Sequence, residues 1–527
     1  MHENGWNFSY TSTRMPVLAA NMVATSQPLA SQAGLAMLAR GGNAVDAAIA
    51  AAIVLTVVEP VNNGVGSDAF AIVHHEGTLS GLNASGRSPR AVTPERFAGQ
   101  SRMPFLGWDS VTVPGAVSAW VELSSRFGRL DFATLFEPAV SYAERGYLVS
   151  PVIASQWEAV AGLYAGSAEF SRVFLPEGRA PRPGERMRIP ELGATLRLIA
   201  ETRGEALYRG ALGEALVAES LAHGGLLNAD DLDSHRADWV DTISIGFGDV
   251  EVHELPPNGQ GIAALMALGI LSHTDVLAHS PDSAASMHLQ VEAMKLAFAD
   301  VHRFVADPAF MGVLSASLLE PAYLEARARL LDPHRALDFC DGRPTTGDTV
   351  YLCAADEAGT MVSFIQSNYF SFGSGIVVPG TGISLQNRGS GFSLEEGHPN
   401  RVGPAKRPFH TIIPGFVTKG GEALLAFGLM GGPMQPQGHV QLMLRLFGHG
   451  QNPQAAADAP RWQVTEGRGV AVEEGVAEDV RAELAARGHD VSVGPPVLFG
   501  GAQAALRIEG GYVGATESRK DGVVAGF

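Results

Sequence analysis

The sequence predicts a large chain of mixed helix and strand, an α+β fold. Three observations point there: helical periodicity in its first and middle parts, a β-rich C-terminal third, and 62 glycines with 31 prolines that call for many tight turns between short elements. Hydrophobic residues make up 46% and charged residues 17% of the 527 positions, the balance of a globular protein with a sizeable core. That length allows roughly two to four ordinary domains or one large layered one. No internal repeat, low-complexity tract or linker divides the chain.

In chain order, "SQPLASQAGLAMLARGG" reads as a helix with a Ser-Gln-Pro start and a Gly-Gly stop. "NAVDAAIAAAIVLTVVEP" follows as a second helix, capped by Asn43 and closed before Pro60. Its apolar core, Ala47 to Val58, lies between Asp46 and Glu59 and falls short of the ~20 residues that span a bilayer, so it predicts a buried helix. In "VNNGVGSDAFAIVHH", Gly64, Gly66 and Ala69 match G-x-G-x-x-A, but a helix precedes and a strand follows. A dinucleotide fingerprint needs the reverse order, so nicotinamide binding is not expected. Between Trp108 and Arg343 helices alternate with turns. In "SAASMHLQVEAMKLAFADVHRF", Met287, Val291, Met294, Phe298 and Val301 share one face, a core stripe. "DFCDGRPTTGD" is a short polar turn segment before Thr349. "TVYLCAAD" and "TMVSFIQSNYF", joined by "DEAG", then form a hairpin, and "GSGIVVPGTGISLQN" continues with glycines where backbone turns or approaches closely. Strands are expected at "ALLAFGLM" and "AQAALRI", and helices near "VQLMLRLFG" and "EDVRAELAARG".

The formal charge of −18 and the lack of any lysine or arginine run argue against a nucleic-acid partner and for small-molecule ligands. Two cysteines, Cys340 and Cys353, are too few for a disulfide framework and wrongly spaced for a zinc cage. The start "MHENGWNFSYTSTRMP" lacks a basic stretch followed by an apolar core, so no secretory signal is expected and a cytoplasmic setting is the default, with no membrane partner. The G-x-S-x-G, H-E-x-x-H, phosphate-loop and C-x-x-C devices are absent. His74 and His75 would point to opposite faces of a strand, which argues against a shared metal.

A threonine hydroxyl is a weak nucleophile without a base beside it. An N-terminal threonine supplies its own, because its α-amine has a pKa near ~8 and can take the hydroxyl proton. Cleavage between Asp348 and Thr349 would create that group, although Asp-Thr at a strand start is by itself unremarkable. Six ordered segments add specificity: "GGNAVDAAIAAAIVLTVVEP" with "NNGVGSDAF", "MHLQVEAMKLAFAD", "DTVYLCAADEAGTMVSF", "FGSGIVVPGTGISLQN", "KRPFHTIIP" and "GLMGGP". Together they resemble the γ-glutamyltranspeptidase family of N-terminal-nucleophile hydrolases through most of the chain.

The resemblance implies a four-layer αββα sandwich and a precursor that cuts itself into a large subunit, residues 1–348, and a small one, 349–527, which stay paired as a heterodimer. It implies Thr349 as nucleophile, Ser367 as its supporting hydroxyl, and the backbone amides of Gly431 and Gly432 as oxyanion donors. No metal or organic cofactor is implied. For the substrate it implies an arginine at Arg87, or Arg90 after a small alignment gap, with His410 and Thr411 replacing the family's serine pair. The acid that would hold a substrate ammonium is missing, since "LQNRGSGF" offers Arg388, Gly389, Ser390 and Gly391. A pocket with Arg87 and Arg388 suits a lone carboxylate, which arginine binds bidentately. The expectation is a self-processing amidohydrolase for a small carboxylate-bearing amide, and "SNYFSFGSGIVVPGTGISLQNRG" is similar to the family branch that includes oxamate amidohydrolase. The competing readings are a γ-glutamyltransferase or glutathione hydrolase, a glutaryl-type cephalosporin acylase, and an unprocessed, inactive binding protein.

Overall fold

The computed structural model describes residues 13–339 and 347–527. Two seven-stranded sheets lie at its centre. One runs Val523–Gly526, Met22–Thr25, Asp348–Ala355, Met361–Tyr369, Asp68–His75, Thr78–Asn83, Asp238–Val240; the other runs Val17–Ala19, Gly511–Thr516, Ala502–Ile508, Glu422–Leu429, Gly415–Lys419, Val250–Glu254, Ile243–Phe247. Phe70, Ile72, Tyr351, Cys353 and Ile365 of the first sheet pack against Phe416, Ala426, Ala505 and Tyr512 of the second. Strands buried on both faces carry apolar residues without alternation, as "TVYLCAA" does.

Helices cover each outer face. Pro28–Ala39 and Ala44–Val58 pack on the first sheet with Val350, Leu352 and Val362, and Gly261–Leu271, Ala284–Phe304 and Met434–Met443 pack on the second with Val417, Leu425 and Phe427. The result is the expected αββα stack within an α+β fold. The expected elements are present, including the helical pair, the hairpin on either side of residues 356–360 and the late helix Glu478–Ala486. Asn43 caps its helix through a reciprocal pair: its side chain accepts from Val45 and Asp46 amides while Asp46 accepts from the Asn43 amide. The stripe of Ala284–Phe304 is buried as expected. No described helix is long and apolar enough to cross a membrane. Cys353 is buried in the sheet, and Cys340 lies outside the described residues.

The glycine loop 64–66 serves close packing. A Cβ on Gly66 would stand 2.2 Å from the Ser384 carbonyl oxygen. The backbone therefore approaches closely enough for Gln386 N–H to reach the Gly66 carbonyl, which seats the segment leading to Arg388.

Candidate active site

Thr349 is fully buried and occupies an irregularity in the pairing of Asp348–Ala355 with Met361–Tyr369. Asp348 faces Tyr369 and Val350 faces Gln366, so one residue stands opposite two, a bulge that re-aims side chains. There the Thr349 hydroxyl donates to Ser367 Oγ at 3.1 Å, and the Ser367 hydroxyl donates to the Asp348 carbonyl at 2.7 Å. Tyr369 N–H fixes Ser367 Oγ from the other side at 2.8 Å. The hydrogen bonds thus run in one direction, from the candidate nucleophile through Ser367 to the carbonyl of the bond ahead of it.

The diglycine lies beside the residue just ahead of Asp348: a Cβ on Gly347 would come 3.3 Å from Gly432 Cα. Gly431 and Gly432 have φ of +109° and +58°, open to glycine at no steric cost. Neither N–H donates a hydrogen bond among the described residues. Two glutamines brace this turn. Gln260 Nε2 donates to the Gly432 carbonyl at 2.9 Å and to the Thr411 carbonyl at 2.6 Å. Gln435 accepts from Ile413 N–H at 2.9 Å and reaches Thr349 Oγ1 at 3.5 Å.

Beside them lies a buried cation. Arg388 is 1% exposed, donates through Nη1 to Thr411 Oγ1 at 2.7 Å, and stacks 4.8 Å over the Tyr369 ring. Its Nε and Nη2 are buried without a hydrogen-bond partner among the described residues. Burial lowers its pKa to about 10, offset in part by Asp68, so it remains charged at neutral pH. Asp68, also fully buried, accepts from Gly86 and Gly115 amides at 3.2 and 3.1 Å and contacts His410 Nε2 at 3.1 Å. Burial pushes Asp68 up to about 7, against the pull of Arg388. His410 is held well below its ordinary value by burial first, then by Arg388 and Arg407. The imidazole is therefore neutral; its Nδ1 accepts from Ile412 N–H at 3.4 Å, so Nε2 carries the hydrogen and donates to Asp68.

The fold thus brings together Thr349, Ser367, Gly431, Gly432, Arg388, His410 and Thr411. It does not bring Arg87 to them. That side chain is 44% exposed, pairs with Asp307 at 2.9 Å and lines a cavity of about 210 Å³ with Arg90, Asp231 and His235. None of the residues around Thr349 lines that cavity. Arg90 lies 3.9 Å from Asp231 there. Sequence reasoning missed Asp68, Gln260, Gln435 and Tyr369. An aspartate opening a strand after a glycine loop, and a glutamine three residues after a diglycine, were the available signals.

The γ-glutamyltranspeptidase family model matches residues 30–527. The chain is 38% identical to the glutathione hydrolase-like YwrD proenzyme of Bacillus subtilis, over 96% of this chain and 98% of the other. It is also 38% identical to the oxamate amidohydrolase proenzyme of Klebsiella pneumoniae, again over 96% and 98%. Among solved structures, the cephalosporin acylase from Bacillus halodurans superposes with a TM-score of 0.95 at 46% identity, covering 100% of this chain and 99% of that one. The chain therefore belongs to the γ-glutamyltranspeptidase family and is an amidohydrolase of the N-terminal-nucleophile type.

Proposed function

We propose that this chain cuts itself between Asp348 and Thr349 and that Thr349 then hydrolyses a small amide whose acyl group carries a carboxylate, oxamate being the simplest. In the first reaction Thr349 Oγ1 attacks the Asp348 carbonyl carbon, the carbon–nitrogen bond breaks, and the hydroxyl proton passes by way of Ser367 to the departing nitrogen. Water then hydrolyses the resulting ester, which restores the hydroxyl and leaves residues 1–348 and 349–527 as paired subunits. In the second reaction the freed α-amine takes the hydroxyl proton and returns it to the leaving amine, while Gly431 and Gly432 amides receive the oxyanion. Water resolves the acyl-enzyme. The substrate is a small molecule, and the nucleophile, base and oxyanion donors all belong to the protein.

The observation that carries this reading is Arg388, a buried guanidinium whose Nε and Nη2 are unengaged among the described residues. A carboxylate satisfies such a fork through two parallel bonds. An α-ammonium finds no comparable host, because the Asp68 carboxylate already accepts two backbone amides and His410. This disfavours the glutathione reading. A glutaryl-type acylase is the second reading, favoured by the 46% likeness to the cephalosporin acylase. Ammonia release from oxamate, measured beside turnover of a glutaryl anilide and a γ-glutamyl anilide, tests the order. Preferred use of the γ-glutamyl compound overturns it. A Thr349→Ala chain is expected to stay intact on a denaturing gel and to hydrolyse none of the three.

A further inference from the structure

We infer that Ser371 is a positioning residue for self-cleavage, holding the carboxylate of the scissile aspartate until the chain is cut. The inference rests on the self-processing reading above. Ser371 Oγ donates to Asp348 Oδ2 at 2.8 Å, while Ser367 Oγ holds the carbonyl of the same residue at 2.7 Å. Asp348 is therefore gripped at both ends. Together with its pairing opposite Tyr369, these two contacts set the orientation of its carbonyl relative to Thr349 Oγ1.

The turn around Ser371 is built independently of the hydroxyl. Phe370 N–H is held by Asn387 Oδ1 at 3.2 Å, Gly373 N–H by the Phe370 carbonyl at 2.6 Å, and the Gly373 carbonyl accepts from the Tyr164 hydroxyl at 3.2 Å. Both Tyr369 and Ser371 have positive φ, +79° and +39°, although neither is glycine. Such backbone persists only where its surroundings over-determine it, and it clusters where geometry is being enforced. Here the left-handed residue at 371 aims a fully buried hydroxyl at the one side chain that precedes the bond to be cut. Ser367 touches Thr349 and so serves both reactions; among the described residues the Ser371 hydroxyl hydrogen-bonds only to Asp348, which turns from scissile residue into a chain end once cleavage is complete.

The contact thus belongs to maturation alone. Purified precursors of the wild type, Ser371→Ala, Asp348→Ala and the double variant are incubated at one temperature, and cleavage at 348–349 is timed by denaturing gel and mass spectrometry. Each single variant is expected to mature roughly 10- to 100-fold more slowly, the scale of a small misplacement of reacting groups. The double variant should be no slower than the slower single. Fully matured Ser371→Ala enzyme should turn over amides within about two-fold of wild type, the spread left when no transition-state contact is lost. Wild-type maturation speed in Ser371→Ala, multiplied effects in the double variant, or an equal loss of turnover after maturation would each overturn the inference. Asp348→Ala removes the same contact from the partly exposed side, so a folding defect in Ser371→Ala does not remove the test. A wild-type chain that never cleaves refutes the self-processing reading itself, a result distinct from the other three.

Discussion

A buried arginine is costly unless its donors are used, because desolvating a guanidinium forfeits water that protein or ligand atoms must replace. Arg388 keeps one bond to Thr411 and stacks on Tyr369, and a carboxylate substrate would supply the rest. Lysine cannot present the same planar fork. Arg388→Lys should therefore lower kcat/KM for a carboxylate-bearing amide by about 10²-fold, the size of a lost charged hydrogen bond, and leave a neutral amide analogue nearly unchanged. Equal losses on both substrates would assign Arg388 a packing role. Asp68, beside it, links the site to pH. Its folded pKa of about 7 lies above its unfolded value of about 3.9, so the folded state binds the proton more tightly. Its stabilising contribution is complete below about pH 4 and is lost as pH rises through about 7. The stability of wild type relative to Asp68→Asn, read from urea midpoints, should accordingly fall between those limits. A difference that stays flat across them contradicts the assignment.

Elements were legible in the sequence wherever a local rule governs them. The helical pair follows from an Asn cap and an apolar run, and the strand that carries Thr349 follows from β-branched and aromatic residues bounded by turns. Asn43→Ala should cost about 1–2 kcal/mol in thermal or chemical unfolding, since it removes the cap of Ala44–Val58, without changing kcat of the matured enzyme. What local rules cannot show is which distant side chains meet. Arg87 looked like a carboxylate ligand, yet its partner Asp307 lies 220 positions away and draws it to another cavity. Tyr369 sits in a run that reads as ordinary strand, but the bulge opposite Thr349 turns its backbone to φ +79°. The diglycine is the converse case, short enough to recognise and enforced by geometry. A Cβ on Gly431 would stand 3.2 Å from Gly500 Cα, and φ there is +109°. Gly431→Ala should therefore displace the amide pair and cut kcat by about 10²- to 10³-fold, the effect of losing an oxyanion donor. A variant with near-normal kcat would remove the diglycine from the mechanism.

At the scale of the whole molecule, the position of the proposed cleavage bond inside the fold decides what processing would do. A cut after residue 348 would divide the sequence but not the structure. In the first sheet four strands precede Asp348 and three begin at or after it; in the second, three precede and four follow. The strand Asp348–Ala355 itself pairs with Met22–Thr25 on one edge and Met361–Tyr369 on the other, so each side of the proposed cut supplies neighbours to the other. The helical layer on the second sheet also mixes the two parts, as Met434–Met443 packs with Gly261–Leu271, while the helices on the first sheet, all from before residue 348, pack on Val350, Leu352 and Val362 from after it. Cutting one peptide bond removes none of these contacts, and separating the parts would expose both central sheet edges and the apolar face between the sheets. The matured protein should therefore elute from a sizing column where the Thr349→Ala precursor does, while a denaturing gel resolves two fragments. Heated or titrated with urea, those fragments should unfold in one shared transition, monitored by tryptophan fluorescence and by circular dichroism. Two separate transitions, or a small fragment that elutes alone under native conditions, would show that the interleaved strands do not hold the halves together.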